Sequence, residues 1–244
     1  MVGTYELVVE ALSVLLALAT VGVCLYRRSF WQYLFLNTSL LYAAFFSIGC
    51  YYVRTAFGYS SPEYFYFYYV GDALGTIVLY LLIASFFDRL LRESVFHKYV
   101  RPTLFIFFLL VVGVSARFML GNYDRFYSRF MAELQQNMFF VGVLLTLLLW
   151  ISMGYLAAES RRFVLLVSGL GIYFASHAAR YALQIVFPNQ ALADALTRVP
   201  PLMYTVMVLL WLYAFWRVPE TEAVVEAARA APRPALAKAN LTVK

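Results

Sequence analysis

The chain predicts an all-α fold, a polytopic bundle of seven transmembrane helices with its N-terminus outside and its C-terminus in the cytoplasm. Three observations carry this reading. The 244 residues are 64% hydrophobic and only 13% charged, and mean hydropathy is +0.75. A soluble domain is nearer half apolar and a quarter charged. The apolar residues gather into long runs, each about the ~20 residues needed to cross a hydrocarbon core. Finally, 13 of the 19 Lys and Arg residues fall on one side of the alternating spans and six on the other, which places the richer side in the cytoplasm.

The first span, residues 6–26, has no basic leader and no small-residue cleavage site, so it reads as a retained helix. Glu6 and Glu10 stand near its outer start. The second span, 30–53, carries Asn37, Thr38 and Ser39 near its inner end. Cys24 and Cys50 fall at opposite ends of these two helices, too far apart for a disulfide. The third, 64–87, enters through EYFYFYYVGD (63–72), with Asp72 in its first third. These aromatic residues suit an interface belt, where rings are buried and hydroxyls stay wet; the alternative is an aromatic wall of a pocket.

The fourth span, 100–120, ends with Arg117. The fifth, 128–155, opens with Glu133, followed by Gln136 and Asn137 on the same face. The sixth, 163–187, contains GIYFASHAARYALQIVF (171–187). At 100° per residue, Tyr173, His177, Arg180, Tyr181 and Gln184 share one face, and Gly171, Ala175, Ala178, Ala179 and Ala182 the other. The small face is suited to close packing against another helix and the polar face to a site. The seventh, 199–217, opens with Arg198, Pro200, Pro201 and Tyr204. Residues 1–217 thus form one transmembrane domain. Residues 218–244, Ala-rich and broken by Pro219, Pro232 and Pro234, form a largely flexible cytoplasmic tail.

Charged groups inside a membrane are expensive and usually face a bundle interior or a cavity. By span direction, Asp72, Glu133, His177 and Arg180 all belong to the outer half. They are expected to meet as an outward-facing pocket or a buried polar network, with Tyr173, Gln136 and Gln184 in support. Two readings of the cluster stand side by side: a functional cavity, or charges that pair only to lock the bundle. Glu6 and Arg198 suit the outer interface instead.

Several chemistries are excluded. The only lysines, Lys98, Lys238 and Lys244, lie outside the spans, so no retinal Schiff base forms. Asp88-Arg89-Leu90 resembles the Asp-Arg-Tyr motif of G-protein-coupled receptors only faintly, since helix 7 lacks Asn-Pro-x-x-Tyr. Two histidines, His97 and His177, at different depths supply neither the zinc site of the membrane hydrolases nor a paired haem site. No metal and no cofactor is implied, a single axial ligand from His177 being the one route left to a haem or chlorin. Ser176 points about 100° away from His177, so no nucleophile–base pair is readable.

The topology and size are similar to the seven-helix sensory modules at the front of some bacterial membrane kinases and cyclases, although no motif carries that similarity. The expectation is therefore a non-enzymatic, receptor-like or sensory binding module of the cytoplasmic (inner) cell membrane. The alternatives are an accessory subunit of a larger membrane complex and a small transporter or proton-linked channel. The implied partners are membrane lipid and a protein on the cytoplasmic face or within the membrane. Nucleic acid is not implied, because the net charge of +6 describes a membrane face.

Overall fold

A computed structural model describes residues 4–92, 94, 97–117, 126–156, 160–187, 195, 196 and 198–218. The tail beyond Val218 and the side chain of Glu6 lie outside the described residues. Seven helices follow one another: α1 (Thr4–Tyr26), α2 (Leu34–Phe57), α3 (Pro62–Leu90), α4 (His97–Arg117), α5 (Phe126–Leu156), α6 (Arg161–Val186) and α7 (Val199–Arg217). Each is long and apolar enough to cross a membrane.

Local chemistry sets the boundaries. Ser61 caps α3, its hydroxyl accepting from the Tyr64 N–H at 3.1 Å, and Pro62 follows in the first turn. Ser160 caps α6 in the same way through Phe163. Gly58, at φ 90°, stops α2 in a conformation that side chains disfavour. At the other end of α2 the helix starts at Leu34, later than the apolar run suggests. Arg28 takes φ 56° there, and residues 29–33 form a turn in which Ser29 N–H reaches back to the Cys24 carbonyl.

Six helices close a ring. Helix α1 packs on α2 and α7, α2 on α3, α3 on α5, α5 on α6, and α6 on α7; α4 stands outside, against α3 and α5. Large apolar side chains cover the exterior: Phe45, Phe105, Leu144 and Ile185 are all more than half exposed. This inverts the pattern of a soluble protein and suits a lipid surround.

The bundle has two unlike ends. The α1–α2 turn, the α3–α4 connection and the start of α6 share one end with the C-terminus of α7, and this end carries Arg27, Arg28, Arg89, Arg101, Arg161, Arg162 and Arg217. We call it the basic end. Not all of these residues face outward, as a surface charge count implies. Arg162 is 2% exposed, and its Nε and Nη2 donate to the Val218 carbonyl at 3.2 and 2.6 Å. Arg27 donates to the Trp216 carbonyl at 2.7 Å. These donors meet carbonyls at the end of α7 that the helix itself leaves without partners. Phe163, Leu166, Trp211 and Phe215 are fully buried just inside.

Helix α6 departs from expectation on its small-residue face. Ala175 and Ala179 look outward, and Ala182 is half-buried. Only Ala178 is buried, while Gly171 approaches Thr146 of α5. The packing face is instead the set Phe163, Leu166, Leu170 and Phe174, with Gly169 admitting the Trp211 ring of α7.

Candidate functional site

The ring encloses a cavity of about 90 Å³, lined from α2, α3, α6 and α7. Helices that are not neighbours in the ring contribute to it, so it lies near the bundle axis. Asp72 stands about ten residues, or ~15 Å, from the start of α3. Trp211 lies about six residues, or ~9 Å, before the end of α7 and forms the floor toward the basic end. The cavity therefore occupies the middle of the bundle and extends past it, and is not confined to the half expected from the placement of charge.

Two glycines on α3 explain why there is room beside Asp72. A Cβ on Gly71 would lie 2.1 Å from Phe46 Cε2, and one on Gly75 would lie 3.1 Å from Tyr42 Cε1. Without side chains at these positions, the rings of α2 lie close against the α3 backbone, and the Tyr42 hydroxyl donates to the Gly71 carbonyl at 2.5 Å. The rings of Tyr42 and Phe46 stack at 6.0 Å between centroids. From the far side, Tyr204, Met207 and Trp211 present one stripe of α7, spaced three and four residues apart. Trp211 is anchored by its Nε1, which donates to the Leu166 carbonyl at 2.9 Å.

Among the described residues, Asp72 is the one charged side chain in the lining. Its carboxylate lies within electrostatic reach of Tyr42, Tyr68, Tyr173, Tyr181 and Arg180. Within the aromatic run of α3, Tyr66 is more than half exposed, while Tyr68, though part-exposed, comes within electrostatic reach of Asp72.

His177 and Arg180 lie deep beside this group. The His177 ring stacks on Phe139 at 4.0 Å and meets the edge of Tyr173 at 4.7 Å. The Arg180 guanidinium sits 5.4 Å from the Tyr181 ring centroid. No ion pair of 4.0 Å or less joins Arg180 to Asp72. Four buried polar atoms around the cavity have no hydrogen-bond partner among the described residues: His177 Nδ1, Arg180 Nε, Tyr204 OH and Gln135 Nε2. Gln135 is close enough to Asp72 to act on its carboxylate, but its Nε2 forms no hydrogen bond of normal length.

Of the expected site residues, the structure brings together Asp72, Tyr173, His177 and Arg180. It does not bring in Glu133 and Gln136. Asn137, on their stripe of α5, donates to Ser115 of α4 at 3.0 Å, so this stripe turns toward the outlying helix. Both residues are half-buried, and Glu133 has no ion pair among the described residues. The interior face of α5 is Leu134, Gln135, Met138 and Phe139. Gln184 is half-buried one turn beyond Arg180. Arg117 and Arg198 are exposed at helix ends. Neither Cys24 nor Cys50 forms a disulfide among the described residues.

Sequence reasoning passed over Gln135, Tyr42, Phe46 and Trp211. The available signal was the Gly71–Gly75 pair flanking Asp72, which marks a close approach of another helix. Among the described residues, no three His, Cys, Asp or Glu side chains converge as a metal site requires. No protein-family model, curated protein or solved structure matches the chain.

Proposed function

We propose that this chain is a non-catalytic, receptor-like binding module of the cytoplasmic membrane, holding a small solute in its central cavity. One observation carries the reading. At a cavity deep in the bundle, the lining carboxylate Asp72 has Arg180 within electrostatic reach but not in an ion pair, and Tyr204 of the lining and His177, Arg180 and Gln135 outside it each have a buried polar atom that no described residue satisfies. Buried polar groups are ordinarily hydrogen-bonded, and leaving one unpaired costs about 1–3 kcal/mol. A set of charges that served only to lock the helices would be closed into ion pairs.

The cavity is smaller than the ~150 Å³ of an apolar cavity that admits benzene, which limits the occupant to a few heavy atoms. Entry is assigned to the outer side, with the basic end in the cytoplasm, by the bias of Lys and Arg. The same end is the natural docking face for a protein partner that reads the state of the bundle. A through-path for transport finds little support: below Trp211 lie fully buried Phe163, Leu166 and Phe215.

The test is thermal unfolding of the protein in lipid nanodiscs against small solutes of four kinds: neutral polyols and amides, carboxylates, zwitterions and ammonium compounds. At least one kind is expected to stabilise the wild type and to lose its effect in Ala43→Leu, which fills the cavity from α2. If no kind stabilises the wild type, and the native protein purifies with stoichiometric membrane subunits, the accessory-subunit reading replaces this one.

A further inference from the structure

We propose that the solute is a small organic ammonium ion, held by Asp72 as counter-ion within a box of aromatic rings. This rests on the preceding reading that the cavity binds a small solute, and it assigns the chemical class. The argument is the direction of the hydrogen bonds in the wall. Ser39 donates to the Leu36 carbonyl at 2.8 Å, Thr76 to the Asp72 carbonyl at 3.0 Å and Tyr42 to the Gly71 carbonyl at 2.5 Å. The indole N–H of Trp211 is likewise committed to Leu166. Four of the wall's donors are thereby turned onto backbone, leaving the phenols of Tyr173 and Tyr204.

What these groups still show the cavity is negative: hydroxyl lone pairs, the faces of aromatic rings and one carboxylate. Within the lining an anion would find two phenol donors and the repulsion of Asp72, since the orphan donors Arg180 Nε and Gln135 Nε2 lie outside it. A cation finds a counter-charge and rings from three helices, Tyr42 and Phe46, Tyr173, and Tyr204 with Trp211. Arg180 is the opposing charge. It lies outside the lining, against Tyr181, and makes no ion pair with Asp72. A bare alkali ion is a poorer match, because it wants a shell of oxygen ligands and much of the remaining wall is carbon from Leu40, Ala43, Leu79 and Met207.

The experiment is titration of the full chain in nanodiscs with methylammonium, trimethylammonium and tetramethylammonium chlorides. Sodium and potassium chloride at equal ionic strength, tert-butanol as a neutral isostere, sodium acetate and tetraethylammonium are the controls, read by calorimetry and by the unfolding midpoint. Saturable binding is expected for at least one methylated ammonium and for none of the controls, tetraethylammonium being too large. Asp72→Asn should weaken that binding at least roughly tenfold, while Glu133→Gln leaves it unchanged. If Asp72→Asn does not fold, the wild-type series decides alone: loss of binding between tetramethyl- and tetraethylammonium, moved to a smaller ion in Ala43→Leu. Binding of tert-butanol or acetate, equal binding of sodium, or ammonium binding indifferent to Asp72→Asn overturns the ammonium assignment and leaves the binding module standing. Absence of binding by every solute, here and in the four-class panel, overturns both.

Discussion

The bundle holds two sets of deep or partly buried charge, and they are finished differently. At the basic end Arg162, Arg101 and Asp88 are joined to polar partners, although Nη1 of Arg89 is, like the atoms around the cavity, buried without a hydrogen bond. Arg162 grips the Val218 carbonyl with two donors and lies 5.5 Å from the Phe215 ring centroid, and the Arg89 guanidinium stands 4.5 Å from that of Tyr33. Asp88 accepts from Arg101 through both oxygens at 3.0 and 3.2 Å and lies 3.1 Å from His97 Nε2. Around the cavity, Asp72 and Arg180 stand near one another unpaired, and neighbouring polar atoms have no partner among the described residues. The same residue types thus do two jobs. Closure of the network, more than the presence of charge, separates a helix clamp from a place made for something else.

The sharpest way to break this contrast is at the clamp. Arg162→Met keeps length and bulk but removes the fork, leaving the Val218 carbonyl without its donors. A loss of about 3 kcal/mol is expected, read as a lower unfolding midpoint in nanodiscs, with solute binding intact in the folded fraction. A midpoint equal to wild type would mean that the buried arginine is not a clamp. Next in size comes the α5–α6 seam. In Gly142→Ala the new methyl would lie 2.4 Å from Cδ1 of Phe174, which is only 2% exposed. Displacing a packed ring should destabilise by about 1–3 kcal/mol, and Gly154→Ala, where nothing lies within 4 Å, is the matched control.

How far the sequence shows these features depends on which physical signal reports them. The seven helices are legible because apolar length and the sign of loop charge are local properties of the chain. The positions of Asp72, His177 and Arg180 along their helices are legible because rise per residue is fixed. Rotation is less so. The α5 stripe Glu133–Gln136–Asn137 is correct as a stripe, yet it faces Ser115 of α4, and no local signal says that α4 stands outside the ring. The alanine face of α6 suggests close packing by composition alone, although Ala175 and Ala179 look outward. Arg162 reads as a surface charge because its partner, the carbonyl of Val218, is 56 residues away in the chain.

Asp72→Asn probes the cavity side of the comparison. A carboxylate held deep in the bundle without an ion pair strains the fold it sits in, since burial of an uncompensated charge is unfavourable. Replacing it with a neutral amide of the same shape should leave stability unchanged or raise it by about 1 kcal/mol, even as solute binding falls. A gain in midpoint joined to a loss of binding marks a group retained for function. A loss of midpoint comparable to that of Arg162→Met would instead make Asp72 a second clamp and erase the contrast.

The smallest effect is expected at Arg101. Its pairing with Asp88 has the geometry of a strong contact, with two short hydrogen bonds. Its side chain is 78% exposed, however, so the pair competes with water and salt for what little it contributes. Arg101→Ala should leave the unfolding midpoint and solute binding indistinguishable from wild type at 0.15 M salt, roughly the physiological ionic strength. If it lowered the midpoint as Gly142→Ala does, the α3–α4 connection would be part of the clamp. The outlying helix α4 would then be tied to the bundle through its basic end and not chiefly through its seam with α3 and α5.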